Sequence, residues 1–247
     1  MAKFAHDNIV PFKESELTKK QQVATMFDKI AFRYDFLNRF LSAGIDVGWR
    51  KKAIKQLKEI QPKQVLDVAT GTGDVAIMTY KKLMPAKITG IDISEGMLEV
   101  GRKKIAKLGL EKAIELIKGD SERIEFPDAS FDAVTVAFGV RNYENLERGL
   151  GEMLRVLKPG GKLVVLEFSR PKQPLFKALY NLYMKVVTPS VGKLVSKNKD
   201  AYQYLNDSVR RFPEGDEFLQ ILQGVGFSKT YKKSLTFGIA TIYCGSK

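Results

Sequence analysis

The residues best suited to bind a ligand lie in a glycine-rich segment. Asp67 stands inside an apolar run, Gly71 and Gly73 follow it, and Asp92 ends the next apolar run, 21 residues after Gly71. Glycines let the backbone approach a ligand closely at the carboxyl end of a strand. An acid that closes the following strand can accept hydrogen bonds from ribose hydroxyls. The spacing therefore predicts a site for a cofactor that contains a nucleoside.

Two kinds of cofactor fit this segment. Residues 71–76 match the G-x-G-x-x-A pattern of dinucleotide-binding proteins. Three other features favour S-adenosylmethionine. Asp67 places a carboxylate where a dinucleotide-binding strand is usually apolar, and it can accept hydrogen bonds from the loop or face an ammonium group. Asp120 follows a third strand, where it can accept the adenine amino group. Residues 157–161 end a helix with proline and glycine before another strand.

The elements that must position these residues alternate along the chain. Apolar runs predict strands near 65–69, 87–92, 113–118, 132–137 and 162–167, and helical spacing predicts helices near 74–84, 95–108, 145–157 and 214–225. Such alternation is typical of an α/β fold, a doubly wound, mostly parallel sheet with helices on both faces. Residues 228–235 and 237–244 complete seven strands, one of them antiparallel.

Additional segments flank this core. Residues 1–18 are predicted to be poorly ordered, and helices are predicted from Val23 to Leu41 and from Trp49 to Ile60. We therefore predict a helical cap over 1–60 that is not an independent domain. The main α/β domain, which carries the cofactor site, follows over 61–247, with a basic helical insertion over 170–211. An apolar stripe in the insertion, formed by Leu175, Leu179, Leu182 and Val186, suits an interfacial helix, a lid over an apolar substrate or a helix packed on its own domain.

The net charge of +13 is unevenly distributed. Residues 61–169 hold 16 basic and 16 acidic side chains, whereas residues 1–60 hold 12 against 7 and residues 170–211 hold 9 against 2. Such flanks can meet nucleic acid or an anionic membrane, or can simply form a solvated face. The single cysteine, Cys244, excludes an internal disulfide. The chain has neither an apolar signal segment nor 18 consecutive apolar residues, so we expect a cytoplasmic protein, peripheral at the inner face of the cell membrane.

Four motifs in order, at residues 67–74, 91–94, 120–122 and 157–161, resemble those of class I methyltransferases. Further segments are similar to the ubiquinone/menaquinone biosynthesis C-methyltransferases, at residues 27–38, 137–142, 166–171, 202–208 and 212–213. This resemblance covers nearly all of residues 20–247. It implies methyl transfer from S-adenosylmethionine to a ring carbon of a reduced prenylated quinone, demethylmenaquinol to menaquinol, with S-adenosylhomocysteine as the second product and no metal.

The resemblance also assigns residues by position. It implies a cofactor site formed by Asp67, Gly71, Thr72, Asp92, Asp120, Ser121 and Ala137. Asp92 would bind the ribose, and Asp120 and Ser121 would bracket the adenine. Ala137 stands where serine is more usual, so only a backbone contact is expected there.

Arg141, Asn142 and Tyr34 would face the acceptor ring. We hypothesise that Arg141 stabilises a phenolate, against the alternative of a structural ion pair. Asn142 would orient the quinol oxygen, and the proton would pass through water to a carboxylate or to Tyr34. Histidine catalysis is excluded, because the single histidine, His6, lies in the segment predicted to be poorly ordered.

Alternative functions stay open at this point. One is methylation of 2-methoxy-6-polyprenyl-1,4-benzoquinol in ubiquinone synthesis. A nucleic-acid methyltransferase is disfavoured, because the chain has no N-P-P-[YF] motif and Cys244 is poorly placed as a nucleophile. The motifs also argue against a non-catalytic scaffold. We therefore expect a prenylated quinol as substrate, contact with an anionic membrane and no nucleic acid, and a homodimer is left open.

Overall fold

The computed structural model describes residues 4–42, 44–171 and 199–247. Its helices are α1 (Lys19–Leu41), α2 (Ile45–Lys55), α3 (Asp74–Leu83), α4 (Glu95–Lys107), α5 (Leu146–Val156), α6 (Lys199–Arg211) and α7 (Asp216–Val225). Its strands are β1 (Gln64–Val68), β2 (Lys87–Asp92), β3 (Ile114–Lys118), β4 (Phe131–Ala137), β5 (Leu157–Phe168), β6 (Ser228–Leu235) and β7 (Ala240–Ser246). Short 3-10 turns cover Lys58–Ile60, Val140–Asn142 and Thr236–Gly238.

The strands form one seven-stranded sheet in the order β3-β2-β1-β4-β5-β7-β6. All neighbouring pairs from β3 to β5 are parallel, and β7 runs antiparallel to both β5 and β6. The strand order reverses at β1 and β4, whose carboxyl ends leave a crevice where ligands bind in such sheets. The predicted doubly wound, mostly parallel sheet is confirmed.

Two apolar clusters cover the two faces of the sheet. One joins β1 and β4 to α5 and α7 through residues such as Leu150, Met153 and Phe218, and the other joins the sheet to α2, α3 and α4. Side chains cap the start of α4 and α5: Ser94 Oγ accepts a hydrogen bond from Met97 N, and Asn145 Oδ1 accepts one from Arg148 N. These caps fix the start of α4 and α5 relative to the strand ends.

The predicted bounds agree with the structure to within two residues for β1 to β4 and for α3 to α5, and they differ for other elements. β5 begins at Leu157 rather than 162, because Leu157 already pairs with Phe131 before a register shift leads to the pair of Lys162 and Ala133. α2 begins at Ile45 rather than Trp49, and the 3-10 turn takes the place of its predicted last turn.

The prediction of poor order is wrong for residues 4–18. His6 is fully buried, and its ring centroid lies 5.9 Å from that of Phe4 and 5.4 Å from that of Phe212. Lys19 Nζ donates a hydrogen bond of 2.8 Å to the His6 carbonyl. Burial lowers the pKa of His6 to about 4, so its ring is neutral at physiological pH. His6 lines neither of the cavities described below.

Helix α1 lies over the carboxyl ends of the strands and packs against α4. Val23 and Met26 on its inner side meet Tyr204 of α6 in a third apolar cluster. The predicted apolar stripe of the insertion lies outside the described residues, and the division into a cap and a main domain stays a prediction. Within the described ranges, no helix is long and apolar enough to cross a membrane.

Candidate functional site

A cavity that is open to solvent lies at the carboxyl ends of β1, β2 and β4, with about 660 Å³ of empty space that includes part of the solvent at its mouth. Seven residues predicted from the sequence line it: Tyr34, Gly71, Asp92, Asp120, Ser121, Ala137 and Asn142. Helix α1 closes one side through Lys20, Val23 and Phe27. The structure thus brings together residues that lie more than 100 positions apart in the sequence.

Asp92 binds the backbone of the glycine-rich loop at the wall of this cavity. Gly71 and Gly73 adopt left-handed conformations, with φ of 56° and 75°. Asp92 accepts hydrogen bonds from Gly71 N at 2.8 Å and from Ser94 N at 2.9 Å. A Cβ at Gly71 would meet no atom within 4 Å, so the space above the loop is open. A ligand with hydroxyl donors can therefore approach both the Asp92 carboxylate and the loop backbone.

Burial, with a smaller contribution from the nearby Asp28 carboxylate, raises the pKa of Asp92 to about 6. Hydroxyl donors bind the ionised form, so binding releases the proton that the free protein takes up below that pKa. We therefore expect the affinity for S-adenosylhomocysteine to be constant above about pH 7 and to fall toward about tenfold per pH unit below pH 6. Calorimetric titrations between pH 5 and 8 measure this, with Asp92→Asn as the control. A pH-independent affinity would contradict it.

The carboxylate of Asp120 is paired with Lys20, a residue that the sequence did not indicate as part of the site. Lys20 Nζ lies 2.7 Å from Asp120 Oδ2 and 3.4 Å from Glu122 Oε2. Burial opposes the charge of Lys20, but the hydrogen bonds and negative charges of Asp120 and Glu122 together outweigh it and raise the pKa of Lys20. An adenine amino group that binds Asp120 must share this carboxylate with Lys20. No sequence motif marks Lys20, because the pair joins residues 100 positions apart.

A second, smaller cavity, also open to solvent, adjoins the first and shares Tyr34, Ala69, Gly71 and Ala137 with it. Asp67 lines this second cavity and is 1% exposed. Its carboxylate accepts hydrogen bonds of 2.6 Å from both Thr70 Oγ1 and Thr135 Oγ1. Burial raises the pKa of Asp67 to about 6. Asp67 accepts a hydrogen bond from the loop, as expected, while it also faces the smaller cavity.

Thr72 belongs to this second cavity as well. Its hydroxyl donates to Asp35 Oδ1 of α1 at 2.6 Å. Lys104 Nζ of α4 bridges Asp35 at 2.8 Å and Asp74 at 2.6 Å. This network ties α1 and α4 to the glycine-rich loop, which explains why α1 lies across the site.

Arg141 lines neither cavity. It is 4% exposed, and its Nη1 lies 2.8 Å from Glu167 Oε1 at the end of β5 and also donates to the Phe138 carbonyl. The structure thus shows an ion pair. Glu167 is fully buried, and burial raises its pKa. A catalytic role for Arg141 stays a proposal, and it requires that the guanidinium influence the cavity from behind its wall.

Asn142 lines the larger cavity and is held by α6. Tyr204 Oη donates to Asn142 Oδ1 at 3.0 Å, and Tyr204 is 3% exposed. Because Oδ1 accepts this bond, the amide nitrogen of Asn142 is the group left to orient a ligand. Tyr204 lies in residues 202–208, one of the segments that resemble the family, but nothing in the sequence of that segment predicts its contact with Asn142.

We expect Tyr204→Phe to lower kcat about tenfold without changing the affinity for S-adenosylhomocysteine. The hydroxyl orients Asn142 but contacts no cofactor-binding residue, and its loss costs about 1 kcal/mol of stability. Steady-state kinetics, calorimetry and thermal unfolding test this. Ser208→Ala is the matched control, since Ser208 lies buried on the same helix. Among the residues that the structure describes, its hydroxyl bonds only to the Leu205 carbonyl. Unchanged kcat in Tyr204→Phe would rule out a positioning role.

Tyr34 lies at the junction of the two cavities. Burial raises the pKa of its hydroxyl, although Asn38 and two arginines act in the opposite direction. A hydroxyl with a raised pKa keeps its proton at neutral pH, so Tyr34 is better suited to donate a hydrogen bond than to act as a base. Within the described parts of the chain, no three His, Cys, Asp or Glu side chains cluster to hold a metal ion. That the reaction needs no metal stays a prediction.

Comparison with known proteins agrees with this geometry. Residues 15–247 match the model of the ubiE/COQ5 methyltransferase family. The chain is 47% identical over 244 residues to a demethylmenaquinone methyltransferase of Bacteroides fragilis, with 99% of each chain covered. It is 49% identical over 234 residues to the ubiquinone/menaquinone biosynthesis C-methyltransferase UbiE of Geotalea daltonii, covering 94% of this chain and 99% of the relative.

A solved structure supports the fold independently of sequence. A SAM-dependent methyltransferase from Thermotoga maritima superposes with a TM-score of 0.61 at 19% identity, covering 90% of this chain and 98% of that one. At this identity the likeness concerns the fold alone. The family match and the near full-length relatives settle membership: this chain belongs to the ubiE/COQ5 methyltransferase family.

Proposed function

We propose that the protein methylates a ring carbon of demethylmenaquinol, using S-adenosylmethionine as donor and giving menaquinol and S-adenosylhomocysteine. The observation that carries this proposal is the convergence on one cavity of segments that resemble quinol methyltransferases. Tyr34 and Asn142 come from two such segments and line the same space as Gly71 of the glycine-rich loop. The Bacteroides fragilis relative, similar over nearly its whole length, is named for this reaction.

The chain's own groups fit the cofactor. The two adjoining cavities give an elongated ligand one larger and one smaller compartment. Asp92 offers a carboxylate to ribose hydroxyls, and Asp120 and Ser121, which line the same cavity, would face the adenine. Tyr143, at the wall of this cavity, is buried, and its hydroxyl lies beside that of Ser121. When bound, S-adenosylmethionine supplies an electrophilic methyl group on sulfur.

The protein must make the acceptor carbon nucleophilic. A phenol ring attacks through carbon once its hydroxyl has lost a proton, and the ring carbon then forms a bond to the methyl group and releases its own proton. We infer that Asn142 donates to the quinol oxygen and that Tyr34 donates to the same region. Arg141 supplies a positive charge that favours the phenolate from behind Phe138, whose carbonyl it contacts. Water carries the released proton.

Transfer of radioactive methyl groups to a short-chain demethylmenaquinol by the purified protein tests the proposal. Mass spectrometry of quinones from cells with and without the protein tests it in vivo, where demethylmenaquinone should accumulate in its absence. Absence of transfer together with unchanged quinones would refute the function.

A second candidate substrate is 2-methoxy-6-polyprenyl-1,4-benzoquinol. It is favoured by the 49% identical relative from Geotalea daltonii, which is named for both ubiquinone and menaquinone biosynthesis. Parallel assays with the two quinols, compared by kcat/KM, decide between single and dual use.

A salt-dependent gel shift with nucleic acid tests the nucleic-acid alternative that the basic charge leaves open.

We further propose that the protein docks on an anionic membrane from which it takes its prenylated substrate. Phe32 of α1 is 92% exposed, and Phe36, one turn away, is 61% exposed. Lys29 and Arg33 lie on the same helix, in the flank where basic side chains are in excess. Exposed aromatic side chains beside basic ones suit the interface of an anionic bilayer.

We expect the protein to float with anionic vesicles and to bind neutral vesicles much less. Phe32→Ser should reduce binding severalfold, because it removes the most exposed apolar side chain of α1. Met84→Ser, which removes a 78% exposed apolar side chain after α3, is the control. Equal absence of binding to both vesicle types would refute the proposal.

Sedimentation measurements would show whether the protein forms a homodimer.

A further inference from the structure

Three aromatic side chains form a cluster that runs outward from the larger cavity. The ring of Phe138, which lines this cavity, stacks on Phe168 with 4.4 Å between the ring centres. Trp49 of α2 lies against both rings, 6.4 Å from that of Phe138 and 6.2 Å from that of Phe168. Phe168 is half-buried and lines neither cavity. The aromatic surface therefore extends beyond the space that the cofactor-binding motifs enclose.

The outer end of this cluster meets the turn between β6 and β7. Trp49 Nε1 donates a hydrogen bond of 2.8 Å to Thr236 Oγ1, and Ser169 Oγ donates one of 2.7 Å to the Gly238 carbonyl. Phe237 stands between these two anchored residues and is 63% exposed. Because β7 begins beside the carboxyl end of β5, this turn lies at the same edge of the sheet as the cavities.

Phe237 holds a backbone conformation that a bulky side chain rarely adopts. Its φ is 55°, in the left-handed region that favours glycine or asparagine. Most of its surface is nevertheless exposed, so burial of the ring offsets little of the backbone cost. A strained residue beside a ligand cavity points to a role for its side chain in binding.

Helix α2 adds a second exposed apolar side chain on the same side. The helix begins at Ile45, one turn before Trp49, so the two side chains share a face. Ile45 is 47% exposed, whereas Trp49 is buried. Together, Phe138, Phe168, Trp49, Ile45 and Phe237 form an apolar path from the cavity to the surface, which we call the aromatic path.

We propose that the aromatic path binds the prenyl tail of the quinol substrate and that the tail covers Phe237 where it reaches the surface. This inference rests on the proposed function, since it presupposes a prenylated acceptor. An isoprenoid chain has no hydrogen-bonding groups, so it gains affinity through apolar contact alone, which the path offers from the cavity wall outward. The inner end of the path lies beside Asn142, whose Nδ2 is 3.5 Å from the Phe138 carbonyl. A ring held by Asn142 would therefore place its tail next to the path.

The test measures binding without turnover, by quenching the fluorescence of Trp49, the single tryptophan of the chain. The probes are two oxidised naphthoquinones, menadione without a tail and menaquinone-2 with two isoprene units, each titrated in the presence of S-adenosylhomocysteine. The wild-type protein should bind menaquinone-2 about 30-fold more tightly than menadione. Phe237→Asn should lower this ratio to about fivefold and change the affinity for menadione less than about twofold.

Asparagine suits the left-handed conformation, so Phe237→Asn should unfold at no lower temperature than the wild-type protein. A purely structural Phe237 would instead lose stability on this change. Ile45→Ser is a second variant at the other exposed end of the path and should lower the ratio about threefold. In steady-state methyl transfer, Phe237→Asn should raise KM about sixfold for a demethylmenaquinol with two isoprene units and less than about twofold for the tail-less quinol.

Met84→Asn is the matched control. Met84 is 78% exposed and has a φ of 46°, so this substitution removes a comparable apolar side chain from the same backbone conformation. Met84 lies between α3 and β2, at the opposite, amino-terminal edge of the sheet. Both quinone affinities should stay unchanged in this variant.

The outcomes separate the inference from the proposed function. A wild-type protein that binds the two quinones equally, or a Phe237→Asn variant that weakens both alike or neither, would overturn the role of the aromatic path. A dimer in sedimentation that Phe237→Asn abolishes, with the affinity ratio unchanged, would assign this surface to a second copy of the chain and overturn it as well. A protein that distinguishes the quinones as expected but transfers no methyl group would support the path and overturn the proposed function instead.

Discussion

Arg141→Met is expected to reduce turnover by about 10²- to 10³-fold, the usual cost of losing a group that stabilises a developing oxyanion. The same change should lower the free energy of unfolding by about 3–5 kcal/mol, because it leaves Glu167 charged and buried without its partner. Glu167 is fully buried and receives a hydrogen bond of 2.8 Å from Arg141. Loss of activity in the single variant alone would therefore not separate catalysis from stability.

The double variant Arg141→Met/Glu167→Gln separates the two effects. It removes both charges, so most of the lost stability should return, while turnover should stay low. Urea unfolding and single-turnover methyl transfer measure the two quantities, and calorimetry should show little change in the affinity for S-adenosylhomocysteine, since Arg141 lines neither cavity. A double variant with normal turnover would show that the ion pair is purely structural.

Asp92→Ala is expected to weaken the binding of S-adenosylhomocysteine about 100-fold. The carboxylate would accept two charge-assisted hydrogen bonds from the ribose, each stronger than a neutral one. The charge of Asp92 is itself disfavoured in the free protein, since burial raises its pKa to about 6. The variant should consequently fold at least as well as the wild-type protein, so that affinity and stability move independently.

A disturbed glycine-rich loop would be another explanation for weaker binding by Asp92→Ala, and the experiment must exclude it. Asp92 also accepts from Gly71 N and Ser94 N, so its loss could disturb the loop rather than the ribose contact. A 2′,3′-dideoxy analogue of S-adenosylhomocysteine resolves this, because only the wild-type protein should distinguish it from the parent ligand. Asp28→Ala is the control: Asp28 accepts from Ser94 Oγ and Gly96 N but lies outside the cavity lining. Discrimination retained by Asp92→Ala would contradict the ribose contact.

The core of the fold was predictable because it depends on local patterns. Alternating apolar runs and helical stripes mark which residues are buried, and right-handed crossovers leave few orders for parallel strands. The N-terminal segment was not predictable in this way. His6 is buried by Phe4 and by Phe212, a residue more than 200 positions away, and no local periodicity encodes such a contact.

Local sequence patterns were enough to predict the loop of Gly71, the strand-ending acid Asp92 and the segments that place this chain in its family. These features are local, because a tight turn or a strand-ending acid requires particular residues at short spacing. The three-dimensional arrangement shows which charges are paired: Lys20 with Asp120, and Arg141 with Glu167. It also leaves the Nε of Arg50, beside the smaller cavity, without a hydrogen-bond partner among the residues that the structure describes. The physical reason is that an ion pair depends on distance in space and on burial, and the partners here come from different elements.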